Sequence, residues 1–241
     1  MNPAEYSRLF ELEDHYWWFV ARRRLALGLI QKFAPEAKTA LDLGCGAGAM
    51  LAELANRYDA TGLDVSEQSK KLCESRGLRN VVLADGADMP FEDNKFDVVV
   101  TLDTIEHIDD DALTVNQILR VLNPGGVVIA NVPAFRWLWG PHDIALHHKR
   151  RYTKTEFNSL FIQAGFEVEL VSYSVFWLFP IVVLRRMLER FSRGEAKVRM
   201  PVVGKWFNRA LIRLMDLEGR GLVRHGWPWG SSVVIVAKKP A

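Results

Sequence analysis

The sequence predicts an α/β fold: a doubly wound, seven-stranded, mostly parallel sheet with an antiparallel last strand, an N-terminal helix, and a helical insertion before the last strand. Three observations predict it. Short apolar runs alternate with helical stretches through the middle of the chain. A glycine turn, Gly44-Cys45-Gly46-Ala47-Gly48, stands between the first apolar run and the first of those helices, and a carboxylate, Asp64, follows 20 residues after Gly44. Finally, Ser232-Val233-Val234-Ile235-Val236-Ala237 reads as a last strand separated from its predecessor by roughly 60 residues, a connection that needs structure of its own.

In chain order, residues from about Ser7 to Phe33 carry a ragged helical stripe (Leu9, Leu12, Tyr16, Phe19, Leu25, Leu29, Ile30) and predict one helix or two. Strands are expected at Thr39 to Leu43, Ala60 to Leu63, Asn80 to Leu83, Phe96 to Thr101, Gly126 to Asn131 and Phe166 to Ser172. Helices are expected near Met50 to Arg57, Glu67 to Arg76, Ala112 to Val121 and Lys154 to Ala164. Leu122-Asn123-Pro124-Gly125-Gly126 ends the third of these, since Pro cannot continue a helix. The chain therefore divides into residues 1–37, an aromatic N-terminal segment; 38–173, a cofactor-binding domain; 174–231, a helical cap; and 232–241, the strand that returns to the sheet.

At 241 residues, 49% hydrophobic and 25% charged, the chain has the composition of a globular protein with one substantial core. Two cysteines exclude a disulfide framework and, with no basic-then-apolar leader at the start, predict a reduced, cytoplasmic setting. The net charge of +2 is unevenly placed: Arg185 to Arg213 holds nine basic residues against Glu189 and Glu195, a surplus of seven that leaves the rest at −5. All eight tryptophans lie outside residues 39–132. Cofactor machinery is thus expected in the middle, and acceptor selection in the flanks.

The glycines alone admit two cofactors, because Gly44, Gly46 and Ala49 satisfy the spacing of a dinucleotide site and leave an NAD-linked oxidoreductase open. Asp42 tips the balance: a carboxylate two residues before the turn welcomes an ammonium and repels a pyrophosphate. Ala84-Asp85 after the third strand suits an exocyclic amino group. The strand, excursion, strand ending also differs from a second mononucleotide-binding half.

Taken together, Leu41-Asp42-Leu43-Gly44-Cys45-Gly46-Ala47-Gly48, Gly62-Leu63-Asp64-Val65-Ser66, Ala84-Asp85, Met89-Pro90-Phe91 with Phe96-Asp97, and Leu122-Asn123-Pro124-Gly125-Gly126 resemble the Rossmann-fold (class I) S-adenosylmethionine-dependent methyltransferases. Within them the chain is similar to the branch holding ubiquinone-biosynthesis O-methyltransferases and bacterial glycan- and lipid-modifying enzymes. The resemblance covers residues 38–132 closely and reaches 173 more loosely. It implies S-adenosylmethionine as cofactor, with Asp42 and the backbone of Gly44, Cys45 and Gly46 at its methionine end. Asp64, with Val65 beside it, would face the ribose, and Asp85, Gly86 and Ala87 the adenine. Leu102 and Asp103 would line the cleft beside the sulfonium.

Candidates for acid–base work are few. His107, in Thr104-Ile105-Glu106-His107-Ile108, is either a base or a cap of the adjoining helix. His147 and His148 lie in the loop after the fifth strand, where an acceptor would arrive, and the spacing from Asp143 to His147 would place both on one helix face. A metal is not expected, because no cysteine or second carboxylate falls at ligand spacing in that histidine loop.

The cap joins an apolar run, Val175 to Leu184, to the basic segment, in which Arg209 and Arg213 share a helix face with Trp206, Phe207, Ala210, Leu211 and Leu214 on others. That pairing predicts either packing on the cap's own domain or a second subunit, or contact with an anionic membrane surface. The run is too short to span a bilayer. The expected acceptor is a small, glycan or lipid-linked molecule, with the protein peripheral on the inner face of the membrane. Nucleic acid is not an expected partner, and a non-catalytic cofactor- or membrane-binding protein is the remaining alternative.

Overall fold

The computed structural model describes residues 10–191 and 203–241. Seven strands form one sheet in the order β3-β2-β1-β4-β5-β7-β6: β1 Thr39–Leu43, β2 Asp59–Asp64, β3 Val81–Leu83, β4 Phe96–Leu102, β5 Leu122–Pro133, β6 Glu167–Ser174 and β7 Ser232–Lys238. The first five run parallel, and β7 slots between β5 and β6 antiparallel to both. The order reverses between β1 and β4, so their carboxyl ends open the crevice where a sheet of this kind takes its ligand.

Strand alternation sends the two faces to different helices. Leu41, Leu43, Val99 and Val128 pack with α4 (Asp111–Val121) and α6 (Lys154–Gln163) through Ile118, Phe157 and Phe161. Ala40, Val98, Val100 and Ile129 pack on the other face with α1 (Trp17–Phe33) and α2 (Ala49–Ala55) through Leu29, Ile30, Leu51 and Leu54. Side-chain caps define several starts: Ser66 opens α3 (Glu67–Ser75), Asp110 opens α4, and Thr153 with Glu156 forms a capping box on α6.

Three local expectations change. The N-terminal stripe is broken at 14–16, so helical residues 10–13 precede α1; Ser7 to Leu9 lie outside the described residues. Leu122-Asn123-Pro124-Gly125-Gly126 is part of β5 rather than a turn before it, because Leu122 already pairs with Phe96. The glycines make this possible: Gly125 has φ +77°, and a Cβ on Gly126 would sit 2.8 Å from the Asn123 carbonyl. The first helix of the cofactor domain closes at Ala55, two residues early.

The long excursion is helical where described: α7 (Phe179–Phe191) and α8 (Lys205–His225). Arg193, Glu195, Lys197 and Arg199 of the basic segment lie outside the described residues. α8 packs on its own domain along α1. Asn208 accepts from the Trp17 amide at 2.8 Å and donates to the His15 carbonyl at 2.7 Å, Arg24 pairs with Asp216 at 2.8 Å, and Leu211 and Leu222 are buried.

Candidate active site

The glycine turn is shaped for backbone approach. Gly44, Gly46 and Gly48 all have positive φ (77°, 55° and 88°), the region that costs an L-residue most. The Gly44 amide closes onto the Leu63 carbonyl at 2.7 Å, and a Cβ on Gly44 would overlap the Thr104 side chain. A Cβ on Gly48 would lie 2.8 Å from Cys73 Sγ, so that glycine serves close packing of α2. Gly46 donates its amide to Asp64 at 2.9 Å, and Asp64 also accepts from the Ser66 amide at 2.9 Å. The acid at the end of β2 is thereby locked to the turn at the end of β1.

Carboxylates gather here. Asp42 is buried and its Oδ2 finds no partner. Burial, with the Glu13 and Asp64 charges adding to it, pushes Asp42 up to about 8. Glu13 reaches over the turn from the N-terminal segment and accepts from the Ala49 amide, the first of α2, at 3.1 Å; burial pushes it up to about 7. Arg76 holds that segment in place, donating to the Ala47 carbonyl at 2.7 Å and to both oxygens of Asp14 at 2.9 and 3.0 Å, 3.6 Å from Glu13. Asp42, Asp64 and Glu13, set against Arg76 and Arg23, make a pocket that favours a cationic group over a phosphate.

Further along the crevice, Asp103 follows β4 in the left-handed region (φ 55°), accepts from Asn131 at 2.8 Å and pairs with Arg22 of α1. Trp18 stacks on the Arg22 guanidinium at 4.1 Å, and Arg22 also donates to Ser232 at 3.0 Å. The aromatic N-terminal segment therefore forms part of the crevice wall as well as packing on the core. Asp85 is exposed and turns back onto the Ala87 amide at 2.8 Å, while Gly86 is buried against Ile108. Leu102 is half-buried, Val65 is largely exposed, and Cys45 turns its side chain inward to Ser69, leaving only its backbone toward the turn.

The histidine loop is organised differently from its sequence spacing. Its helix, α5 (Pro141–Ala145), ends before residue 147, and His147 takes a left-handed conformation (φ 56°) on the surface. Asp143 therefore pairs with His148, whose Nδ1 lies 2.9 Å away, rather than with His147. Asp143 is fully buried and also receives Arg151 through both oxygens, at 2.7 and 3.0 Å, and the Gly140 amide at 2.9 Å. These donors hold its carboxyl well below the usual carboxylate range against the opposing effect of burial. The Lys149 amide ties the loop to the Glu106 carbonyl at 2.9 Å, and the His107 and His148 rings meet edge-on at 4.7 Å.

Most of the residues named from the sequence fall into two groups, with the exposed Val65 and the Asp85 to Ala87 turn after β3 outside both. Asp42, Gly44, Cys45, Gly46, Asp64, Leu102 and Asp103 converge at the ends of β1, β2 and β4. His107 and His148 form a second cluster beside them, and His147 stands apart from that cluster. Four participants were not singled out: Glu13, Arg22, Arg76 and Glu106. Arg22 had a signal in the aromatic, arginine-rich run Trp17 to Arg24, and Glu106 in its place beside His107; nothing local marks Glu13 or Arg76.

Residues 41–130 match the family described as a methyltransferase domain. Among curated proteins, one named "Probable S-adenosylmethionine-dependent methyltransferase" from Mycolicibacterium smegmatis is 33% identical over 164 residues, covering 65% of this chain and 62% of its own length. The demethylmenaquinone methyltransferase of Staphylococcus aureus is 29% identical over 207 residues, 80% of each chain. This chain thus spans less than two thirds of the mycobacterial relative. Solved structures share the fold: an Archaeoglobus fulgidus SAM-dependent methyltransferase (TM-score 0.59, 18% identity, 90% of this chain and 94% of that one) is one. Phosphoethanolamine N-methyltransferase 2 of Haemonchus contortus, in complex with S-adenosyl-L-methionine, is another (TM-score 0.58, 19% identity, 89% and 52%).

Proposed function

We propose that this chain transfers the methyl group of S-adenosylmethionine to a hydroxyl of a small, glycan or lipid-linked acceptor met at an anionic membrane surface. The observation that carries the cofactor part is the buried, unpartnered oxygen of Asp42 inside an acid-lined glycine turn, a fit for the cofactor's α-ammonium. Asp64 would accept from the ribose hydroxyls, Asp85 to Ala87 would border the adenine, and Leu102 and Asp103 the sulfonium. The acceptor oxygen attacks the methyl carbon, the carbon–sulfur bond breaks with its electron pair going to sulfur, and the hydroxyl proton leaves. The protein's part is alignment, exclusion of water and acceptance of that proton, for which His107 and His148 are the placed imidazoles. His147 belongs to the acceptor entrance.

The membrane part rests on the cap. On α7 the amphipathic order is inverted. Ile181, Leu184, Met187 and Leu188 are each more than half exposed, while Arg186 turns inward to Asp143 at 3.8 Å and to Glu189 at 3.1 Å. On α8 the exposed residues include Arg209, Arg213, Arg220 and Arg224. Trp206 lies on that same stripe, not on a separate face, and is almost fully exposed. Both acids of α8 are engaged elsewhere, Asp216 with Arg24 and Glu218 with the amides of Val175 and Trp177. Apolar side chains facing out on α7, and exposed arginines on α8 that form no ion pair among the described residues, suit the headgroup boundary of an anionic bilayer. No helix among the described residues is long and apolar enough to cross one.

With methyl-labelled cofactor and a lipid extract, label is expected in the organic phase, and the protein should cosediment with phosphatidylglycerol vesicles at low salt and dissociate as salt is raised. Label confined to water-soluble products with no vesicle binding would overturn the membrane part and leave methyl transfer standing.

A further inference from the structure

Glu106 is a buried acid without a hydrogen-bond partner. Its side chain is fully buried and neither carboxylate oxygen has a hydrogen-bond partner. The nearby arginines form their ion pairs with other acids, Arg22 with Asp103 and Arg151 with Asp143, although Nε of Arg22 has no partner either. A buried carboxylate without a donor is costly, and something positive has to answer it.

The two histidines beside it present lone pairs rather than protons. His148 directs Nδ1 to the Asp143 carboxylate, which fixes that nitrogen as the donor and leaves Nε2 as an acceptor. A ring N–H of His107 is spent on the backbone of His147, so its second nitrogen is an acceptor too. One atom each from Glu106, His107 and His148 lies within 4.8 Å of the others. Three acceptors facing one another with no donor between them is an unfavourable arrangement unless they share a proton or a cation.

We propose that Glu106, His107 and His148 bind a divalent first-row transition metal ion. Two imidazoles and one carboxylate on one side of a site are the ligand set of such ions, with positions left open for an oxygen ligand. Metal bonds of about 2.0–2.2 Å bring ligand atoms to roughly 3–3.5 Å apart, so small side-chain rotations close the site. The outer contacts are also those of a metal centre: a carboxylate orients one imidazole and a backbone group the other. The expectation of no metal looked for a second carboxylate within the histidine loop, whereas Glu106 comes from the turn after β4.

The ion's task, which rests on the methyl-transfer reading, would be to take the acceptor oxygen as a ligand and lower its pKa, so that its proton passes to solvent water instead of to the imidazoles whose lone pairs the ion occupies, and the oxygen meets the methyl carbon as an alkoxide or phenolate.

The test is made on the full chain, stripped with chelator and titrated with Co2+, read by its visible absorption, and with Mn2+, read by electron paramagnetic resonance. One bound equivalent is expected. Glu106→Gln and His148→Ala should each weaken binding by roughly 100-fold, while His225→Ala, at the far end of α8, should not. Cofactor affinity measured on each variant shows that the fold survives. Absence of bound metal in the wild type, or wild-type metal affinity in both ligand variants, overturns the site. Metal binding without cofactor binding instead overturns the methyl-transfer reading and leaves the site intact.

Discussion

Replacing Asp64 by alanine lowers the affinity for S-adenosylmethionine by about 100-fold while the protein stays folded. The side chain is buried at the end of β2 and accepts from the amides of Gly46 and Ser66, each at 2.9 Å. It therefore acts twice, as the acceptor proposed for the ribose hydroxyls and as the tie that holds the glycine turn in its left-handed conformation. Hydrogen bonds to a charged group contribute about 1.5–3 kcal/mol each, and loss of roughly 2.7 kcal/mol is the stated factor. Isothermal titration provides the measurement. Asp64→Asn, which keeps an acceptor oxygen but not the charge, should fall between alanine and wild type. An alanine variant that binds the cofactor as the wild type does would remove Asp64 from the site.

The largest effect on stability is expected at Asp143. Its carboxylate is fully buried and receives Arg151 twice, His148 and the Gly140 amide. Asp143→Ala leaves the buried Arg151 guanidinium with only the Ala134 carbonyl, at 2.9 Å. Breaking a buried pair in this way costs about 3–5 kcal/mol, which for a chain of this size lowers the melting temperature by roughly 10 °C. The pH dependence has a definite sign. The folded-state pKa lies below the unfolded value of about 3.9, so the contribution is present above about pH 4 and is lost as pH falls through the folded value. Thermal melts from pH 7 downward should show wild type and variant converging in acid. Curves that stay parallel would mean that Asp143 is not ionised in the folded protein.

How much of this was legible in the sequence depended on how local the cause is. The turn at Gly44 to Gly48 and the acid at Asp64 could be read because strand, glycine and carboxylate spacing are set by one strand–turn–helix unit and its neighbour. The cap's helices followed from the length and apolar content of the excursion. The partner of Asp143 could not be read, because it depends on α5 stopping at Ala145 and on His147 turning left-handed. Those two events move the paired imidazole from the fourth residue to the fifth. The isolation of Glu106 is a tertiary fact, created where Arg22 is drawn to Asp103 and Arg151 to Asp143. Glu13 reaches the turn only because Arg76, from the end of α3, pins the N-terminal segment across it. On α7, the sequence marked an apolar run, but only packing decided that its apolar side chains face outward.

The central claim is that the acid-lined turn holds a methyl donor and not a dinucleotide. Parallel titrations of the wild-type protein with S-adenosylmethionine and with NADH test it most directly. Saturable binding of one equivalent of S-adenosylmethionine, with no heat or fluorescence change from NADH, is the predicted result; saturable NADH binding with none of S-adenosylmethionine would contradict it.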